Sequence, residues 1–113
     1  DGKYLFVSSG DRVSIDYVQK TDNNLGKIVR LTPDGKPALR NPMASKGSPA
    51  NEIWTIGHRN PLGLQFDLKG QLWDLEHGPM GGDEINKLVA GDNYGWPVVS
   101  NGDNYNGTPI PRH

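Results

Sequence analysis

With 113 residues, no Cys and a formal charge of −1, the sequence excludes disulfides, thiolate metal sites and Cys nucleophiles, and gives no electrostatic case for nucleic acid or an anionic membrane surface. Only 34% of the residues are hydrophobic while Gly (15) and Pro (9) are abundant, which is too little apolar material for a helix bundle and suits short strands joined by tight turns. Three Trp, four Tyr and two Phe spread among aliphatic residues argue against disorder, and no apolar run approaches the ~20 residues of a membrane span.

Strand signals follow one another along the chain. Asp1-Gly2 reads as a hairpin turn with one arm absent, so the sequence is expected to be an internal segment of a longer protein. Tyr4 to Val7 is a short aromatic and β-branched run. Ile28 to Leu31 is the second strand and stops at the turn Thr32-Pro33-Asp34-Gly35, with Pro and Gly in suitable places. Residues 36–51, rich in Pro, Ala, Ser, Asn and Gly, read as a long surface loop. Glu52 to Ile56, Gly63 to Phe66, Gln71 to Leu75 and Glu84 to Val89 complete six predicted strands, and no stretch sustains helical periodicity over three turns.

An internal similarity runs through these strands. Gly2-Lys3-Tyr4-Leu5, ending at Gly10, aligns without gaps to Gly70-Gln71-Leu72-Trp73, ending at Gly78. Lys27 to Leu31 resembles Glu84 to Leu88 in the same order, with a longer connection in the first copy. Repeated all-β units of this size suggest blades of a β-propeller; the alternative is two unrelated hairpins that share common turn chemistry. A blade buries its faces against neighbours, so about two blades alone would leave apolar surface open.

Three segments carry candidate chemistry. Gly57-His58-Arg59-Asn60-Pro61-Leu62-Gly63 sits where a predicted strand ends. Arg59 offers a planar, permanently charged fork suited to a carboxylate or a quinone oxygen, and Asn60 adds an amide donor and acceptor. The bland alternative is an Arg that ties a loop to backbone carbonyls. In Glu76-His77-Gly78-Pro79-Met80-Gly81-Gly82-Asp83-Glu84, the Gly-Pro step forces extended backbone and leaves both carbonyls without helical partners. Carbonyls of this kind, with the carboxylates of Asp83 and Glu84 just beyond, suit a hard cation such as calcium, although the spacing is not that of an EF-hand. In Gly91-Asp92-Asn93-Tyr94-Gly95-Trp96-Pro97, turn residues alternate with aromatics that read first as packing anchors, and Tyr105 could stack on a flat ring or cover the edge of the core. His58, His77 and His113 do not form a metal-ligand spacing. His77, beside acidic residues, reads as a buried structural His or a group supporting a site, not as a general base.

Together, Ile53 to Gly63, Glu76 to Leu88 and Asn93 to Pro97 resemble the soluble sugar dehydrogenases that depend on pyrroloquinoline quinone (PQQ), in the aldose sugar dehydrogenase branch of the glucose/sorbosone dehydrogenase family. Leu25 to Gly35 and Asp1 to Arg12 fit the same branch, and the likeness covers nearly the whole chain, weakest at residues 14–24 and 36–50. The resemblance implies an all-β fold that is part of a six-bladed β-propeller, exported to the periplasm or secreted, with PQQ in the central funnel. It makes residues 1–113 a piece of one such domain. It matches Arg59 and Asn60 to the family's PQQ-binding pair and Tyr105 to a cofactor-contacting Tyr. It matches Gly78 and Pro79 to the pair whose carbonyls hold the PQQ-associated calcium, and Glu84 and Tyr94 to ligands of a further, structural calcium. Met80 stands where this branch often has Arg.

The implied reaction is oxidation of an aldose sugar at its anomeric carbon, by hydride transfer to calcium-bound PQQ and onward transfer to an electron acceptor the sequence does not identify. The family's general-base His falls upstream of Asp1, so none of the three His here matches it, and further PQQ-binding Arg and Lys residues fall downstream of His113. Residues 1–113 alone are therefore expected not to oxidise sugars. The alternative function is a non-catalytic propeller that binds a ligand or partner on the same scaffold. A sugar hydrolase would need a pair of catalytic carboxylates, and the acids here stand in calcium-type positions instead.

Overall fold

The computed structural model describes residues 2–113, so the expected turn at Asp1-Gly2 lies partly outside the described residues. Six strands form in chain order: β1 (Leu5–Ser9), β2 (Lys27–Leu31), β3 (Ile53–Ile56), β4 (Pro61–Phe66), β5 (Leu72–Glu76) and β6 (Glu84–Lys87). They make two antiparallel three-stranded sheets, β1-β2-β3 and β4-β5-β6. Two one-turn 3-10 helices, Ile15–Tyr17 and Ala50–Glu52, lie in the connections.

All six expected strands form, and pairing explains where their ends differ. β1 runs on to Ser9 because its register against β2 continues from Leu5↔Leu31 to Ser9↔Lys27. β4 starts two residues early at Pro61, a first-strand position where a missing N–H is tolerated, and a bulge follows between Pro61 and Gly63. Glu52 belongs to a 3-10 turn instead of β3. The aligned halves of the sequence repeat occupy matching places, since β1 pairs with β2 as β5 pairs with β6. The fold is thus all-β and part of a β-propeller, with each sheet a blade.

The sheets meet where β1 approaches β4. Buried Ile28, Leu72 and Leu88 form the shared core, with Phe6, Trp54, Leu64, Phe66 and Tyr94 packed around them. Phe6 lies edge-on to both Trp54 and Phe66, at 5.5 and 5.6 Å between centroids. Burying each large aliphatic side chain here contributes about 2 kcal/mol. The opposite face of the second sheet is different: Leu75 is 51% and Ile85 72% exposed.

The long loop is ordered by one buried amide. Asn41 donates to the carbonyls of Arg30 and Asn51 at 2.9 Å each, and its oxygen accepts from Arg30 Nε at 2.8 Å. The Arg30 guanidinium is sandwiched between the Tyr4 and Trp54 rings, 4.4 Å from each centroid. After β6 the chain returns to the first sheet. Gly91 donates to Trp54, Tyr94 to Ile56 and Trp96 to Gly57, so residues 91–96 run along the edge of β3.

Lys27 at the head of β2 is fully buried. Its ammonium donates to the carbonyls of Tyr17 (3.3 Å), Val18 (2.7 Å) and Leu25 (2.6 Å), closing the β1–β2 connection. Burial lowers its pKa to about 8, with Asp22 pulling the other way. The folded state thus binds this proton less tightly than the unfolded chain, and the contribution of Lys27 to stability rises from pH 8 to the ordinary lysine value of 10.5. In the full-length protein, Lys27→Met is expected to lower the thermal midpoint at pH 7 by orphaning the carbonyls, and to lower it further at pH 10, the added loss being about 2 kcal/mol. Equal losses at the two pH values would contradict this.

Candidate functional site

The connections that follow β1, β3 and β5 converge on one side of the molecule. Asp11 donates its N–H to the Arg59 carbonyl at 2.7 Å, and His77 donates to the Asn60 carbonyl at 3.1 Å. Residues 57–60 are therefore gripped from both sides, by the connection of the first sheet and by that of the second. The grip demands glycine at its start. Gly57 has φ +82°, and a Cβ there would stand 2.6 Å from the Gly95 nitrogen and closer still to Asn93 Oδ1.

Arg59 is the common member of three adjoining clefts. One, a narrow crevice with room for about 10 Å³, is lined also by Gly78, Pro79, Glu84, Tyr94 and Trp96. A wider one of about 220 Å³ holds Arg59 with Asp11, Val13, Pro79, Trp96 and Tyr105. The third pairs Arg59 and Asn60 with Gly10 to Val13. The guanidinium donates to the Tyr105 hydroxyl at 3.0 Å and to the His77 carbonyl at 3.3 Å, and lies within 6 Å of the Trp96 and Tyr105 rings, at 5.6 and 5.7 Å. Both readings of Arg59 are therefore visible: it ties a loop carbonyl, and it presents a positive charge to the clefts.

The seven residues singled out from the sequence are brought together unevenly. Arg59, Gly78, Pro79, Glu84 and Tyr94 share the narrow cleft, Arg59, Pro79 and Tyr105 share the wide one, and the exposed Asn60 faces the third with Arg59. No hydrogen bond found among the described residues ends on the Gly78 or Pro79 carbonyl, which leaves both oxygens available to a hard cation. A side chain at Gly78 would strike the main chain of Gly81 and Gly82. Asp83 does not point away from the loop. It accepts the Gly78 N–H at 2.9 Å, and that bond holds its carboxyl below the usual range. Glu84 accepts from Asn86 at 3.1 Å and lies 3.5 Å from His113 Nε2. The Tyr94 phenol is occupied, donating to the Lys87 carbonyl at 2.6 Å and accepting from Val89 N–H at 2.8 Å.

Of the two expectations for His77, burial is wrong: its side chain is 57% exposed and lies 3.5 Å from Asp83. The buried imidazole is His58, with no exposed surface. Its Nδ1 bonds Glu76 Oε2 at 2.7 Å, its Nε2 bonds Thr55 Oγ1 at 2.8 Å, and the Tyr94 ring stacks on it at 5.0 Å. Asp74 Oδ2 stands 3.4 Å from the same Nδ1. Burial opposes charge on His58, yet the carboxylates of Asp74 and Glu76 beside its Nδ1 outweigh it and raise its pKa. Burial also raises that of Glu76.

The sequence reading missed Asp74, the pairing of His58 with Glu76, and the place of Asp11 and Val13 in the clefts. A signal for the acids existed. In Leu72-Trp73-Asp74-Leu75-Glu76 the two carboxylates fall at alternate positions with Leu72, on the face that packs inward. Val13 had none: it is 94% exposed with φ +63°, a strained conformation for a β-branched residue beside a cleft.

Fold and clefts define a segment of a β-propeller whose strand-end loops gather on one face. The chain belongs to the Glucose / Sorbosone dehydrogenase family, whose profile matches residues 1–113. It is 44% identical over 114 aligned positions to the aldose sugar dehydrogenase YliI of Escherichia coli, covering 99% of this chain and 31% of that protein. The crystal structure of the soluble aldose sugar dehydrogenase of Escherichia coli in its apo-form superposes with a TM-score of 0.90 at 42% identity, over 96% of this chain and 31% of that one. The PQQ-bound aldose sugar dehydrogenase of Streptomyces coelicolor gives 0.79 at 36% identity, over 96% and 31%. The chain thus spans about a third of the length of the relatives it matches. No helix among the described residues is long and apolar enough to cross a membrane.

Proposed function

We propose that residues 1–113 form part of an exported aldose sugar dehydrogenase that works with PQQ and calcium, and that they supply one wall of its cofactor site. The observation that carries this reading is the meeting of the Arg59 guanidinium, the Tyr105 hydroxyl and the Pro79 residue in one cleft, with the open carbonyls of Gly78 and Pro79 alongside. This donor set fits the group: a cationic fork and a phenol suit carboxylate and quinone oxygens, and uncommitted carbonyls suit calcium.

Bound PQQ with its calcium would supply the two-electron acceptor for a hydride from the anomeric carbon of the sugar. Arg59 places a permanent positive charge where negative charge would grow, already held by the His77 carbonyl and Tyr105 so that little reorganisation is needed. Asn60 and Tyr105 orient the flat cofactor, Gly78 and Pro79 hold the cation through their carbonyls, and Glu84 with the Tyr94 carbonyl holds a second, structural calcium. Among the described residues no His lines the cleft shared by Arg59 and Tyr105, and the general base is assigned to a part of the protein outside residues 1–113. Further blades of the same domain would cover Leu75 and Ile85.

The test is titration of the full-length apoprotein with PQQ, with and without calcium, followed by aldose-dependent dye reduction. Binding and activity in calcium are expected, with at least about a hundredfold loss of affinity after chelation and recovery on adding calcium back. A full-length protein that ignores PQQ would favour the non-catalytic alternative.

A further inference from the structure

Glu76 belongs to none of the roles assigned above, yet it is the buried residue through which two parts of the candidate site are joined. It ends β5, one residue before His77 and two before Gly78, and is only 4% exposed. One carboxylate oxygen accepts the Arg59 main-chain N–H at 2.9 Å. The other takes His58 Nδ1 at 2.7 Å, and the far side of that imidazole is fixed by Thr55 at 2.8 Å and by the stacked Tyr94 ring. His58 donates its own N–H to the Gly26 carbonyl at 3.1 Å, which anchors the bracket to the first sheet.

We propose that Glu76 is a positioning residue. Braced by His58 and Thr55, its carboxylate fixes the main chain at Arg59 relative to the end of β5, and so sets the spacing between the Arg59 guanidinium and the Gly78 and Pro79 carbonyls. The inference rests on the proposed PQQ and calcium site and adds a residue that acts on it through Arg59. Without Glu76, residues 57–60 keep their bonds to Asp11 and His77, but the Arg59 N–H loses its acceptor and His58 Nδ1 is left with only the more distant Asp74 Oδ2, at 3.4 Å. A network of this sort transmits position and not charge. An amide can replace the carboxylate: the oxygen of a Gln accepts from Arg59 N–H, its NH₂ donates to Nδ1 of the other imidazole tautomer, and Nε2–H then donates to Thr55, whose hydroxyl serves in either sense.

PQQ binding in calcium, followed by tryptophan quenching on the full-length protein, tests this with Glu76→Gln, Glu76→Ala and Thr55→Val. Circular dichroism confirms that each variant is folded at the temperature used. Glu76→Gln is expected to bind within about 3-fold of the parent, Glu76→Ala at least about 10-fold more weakly, and Thr55→Val, which removes only the far brace, about 3- to 10-fold more weakly. A folded Glu76→Ala that binds like the parent overturns the proposal, as does a Glu76→Gln as weak as the Ala variant, since charge and not position would then be the cause. If Glu76→Ala does not fold, Thr55→Val and Glu76→Gln decide by the same criteria, and parent-like binding by Thr55→Val overturns it. Failure of the parent to bind PQQ would instead refute the cofactor reading.

Discussion

Arg59→Ala in the full-length protein is expected to cut PQQ-dependent aldose oxidation by about 10²- to 10³-fold, the usual cost of removing a preorganised donor from where charge develops. Two losses combine. The cleft loses its fixed cation, and Tyr105 and the His77 carbonyl lose the partner that holds them, at 3.0 and 3.3 Å. Arg59→Lys should recover little, because an ammonium cannot reach a hydroxyl and a carbonyl at once while presenting a flat fork to a ligand. The measurement is the initial rate at saturating sugar over a range of PQQ concentrations, with thermal midpoints for each variant. An Ala variant within about threefold of the parent at saturating PQQ would remove Arg59 from the reaction and leave it a loop tie.

Gly57→Ala is expected to cost about 3–5 kcal/mol of stability. The backbone stands at φ +82°, and the added methyl would be driven against Asn93, Tyr94 and Gly95, the segment that lies along β3. The nearest atom met is the Asn93 side-chain oxygen, but the other two are main-chain nitrogens that cannot swing aside. The thermal midpoint of the full-length protein should fall accordingly. Gly70, also at positive φ (+80°) but with open space around its Cβ position, is the control: Gly70→Ala pays for the conformation alone and should cost about 1–2 kcal/mol.

What could be read from the sequence, and what could not, divides along physical lines. The strands were legible because half-buried β-strands write their faces as alternation and close with Gly and Pro, as at Thr32 to Gly35, whereas the start of β4 at Pro61 was read two residues late, at Gly63. Residues 36–51 read only as loop, because the feature that orders them, buried Asn41 bonded to Arg30 and Asn51, is a side-chain amide whose partners lie ten and eleven positions away. The same limit applied at the site. Arg59, Gly78 and Pro79 could be singled out since their chemistry is local: a fork, and a step that frees carbonyls. Glu76 could not, because its role depends on contact with Arg59 and His58, seventeen and eighteen residues back across a sheet boundary. Burial, one of the two readings offered for His77, belongs instead to His58: both histidines follow a strand, and only the contacts of His58 with Thr55, Glu76 and Tyr94 tell them apart.

The crossover at residues 57–60 has a mechanical consequence. It is where the chain leaves one blade for the next, and the candidate donors lie on both sides of it: Arg59 on the crossover, Gly78 and Pro79 on the second blade, Tyr94 on the segment laid against the first. A ligand gripped by all of them fits only while the blades keep their mutual angle. By mass action such a ligand resists their parting, by about 2.7 kcal/mol at a hundredfold excess over its dissociation constant. On the proposed reading, a cofactor seated there would be a rivet as well as a reagent, holding the two sheets together across this seam.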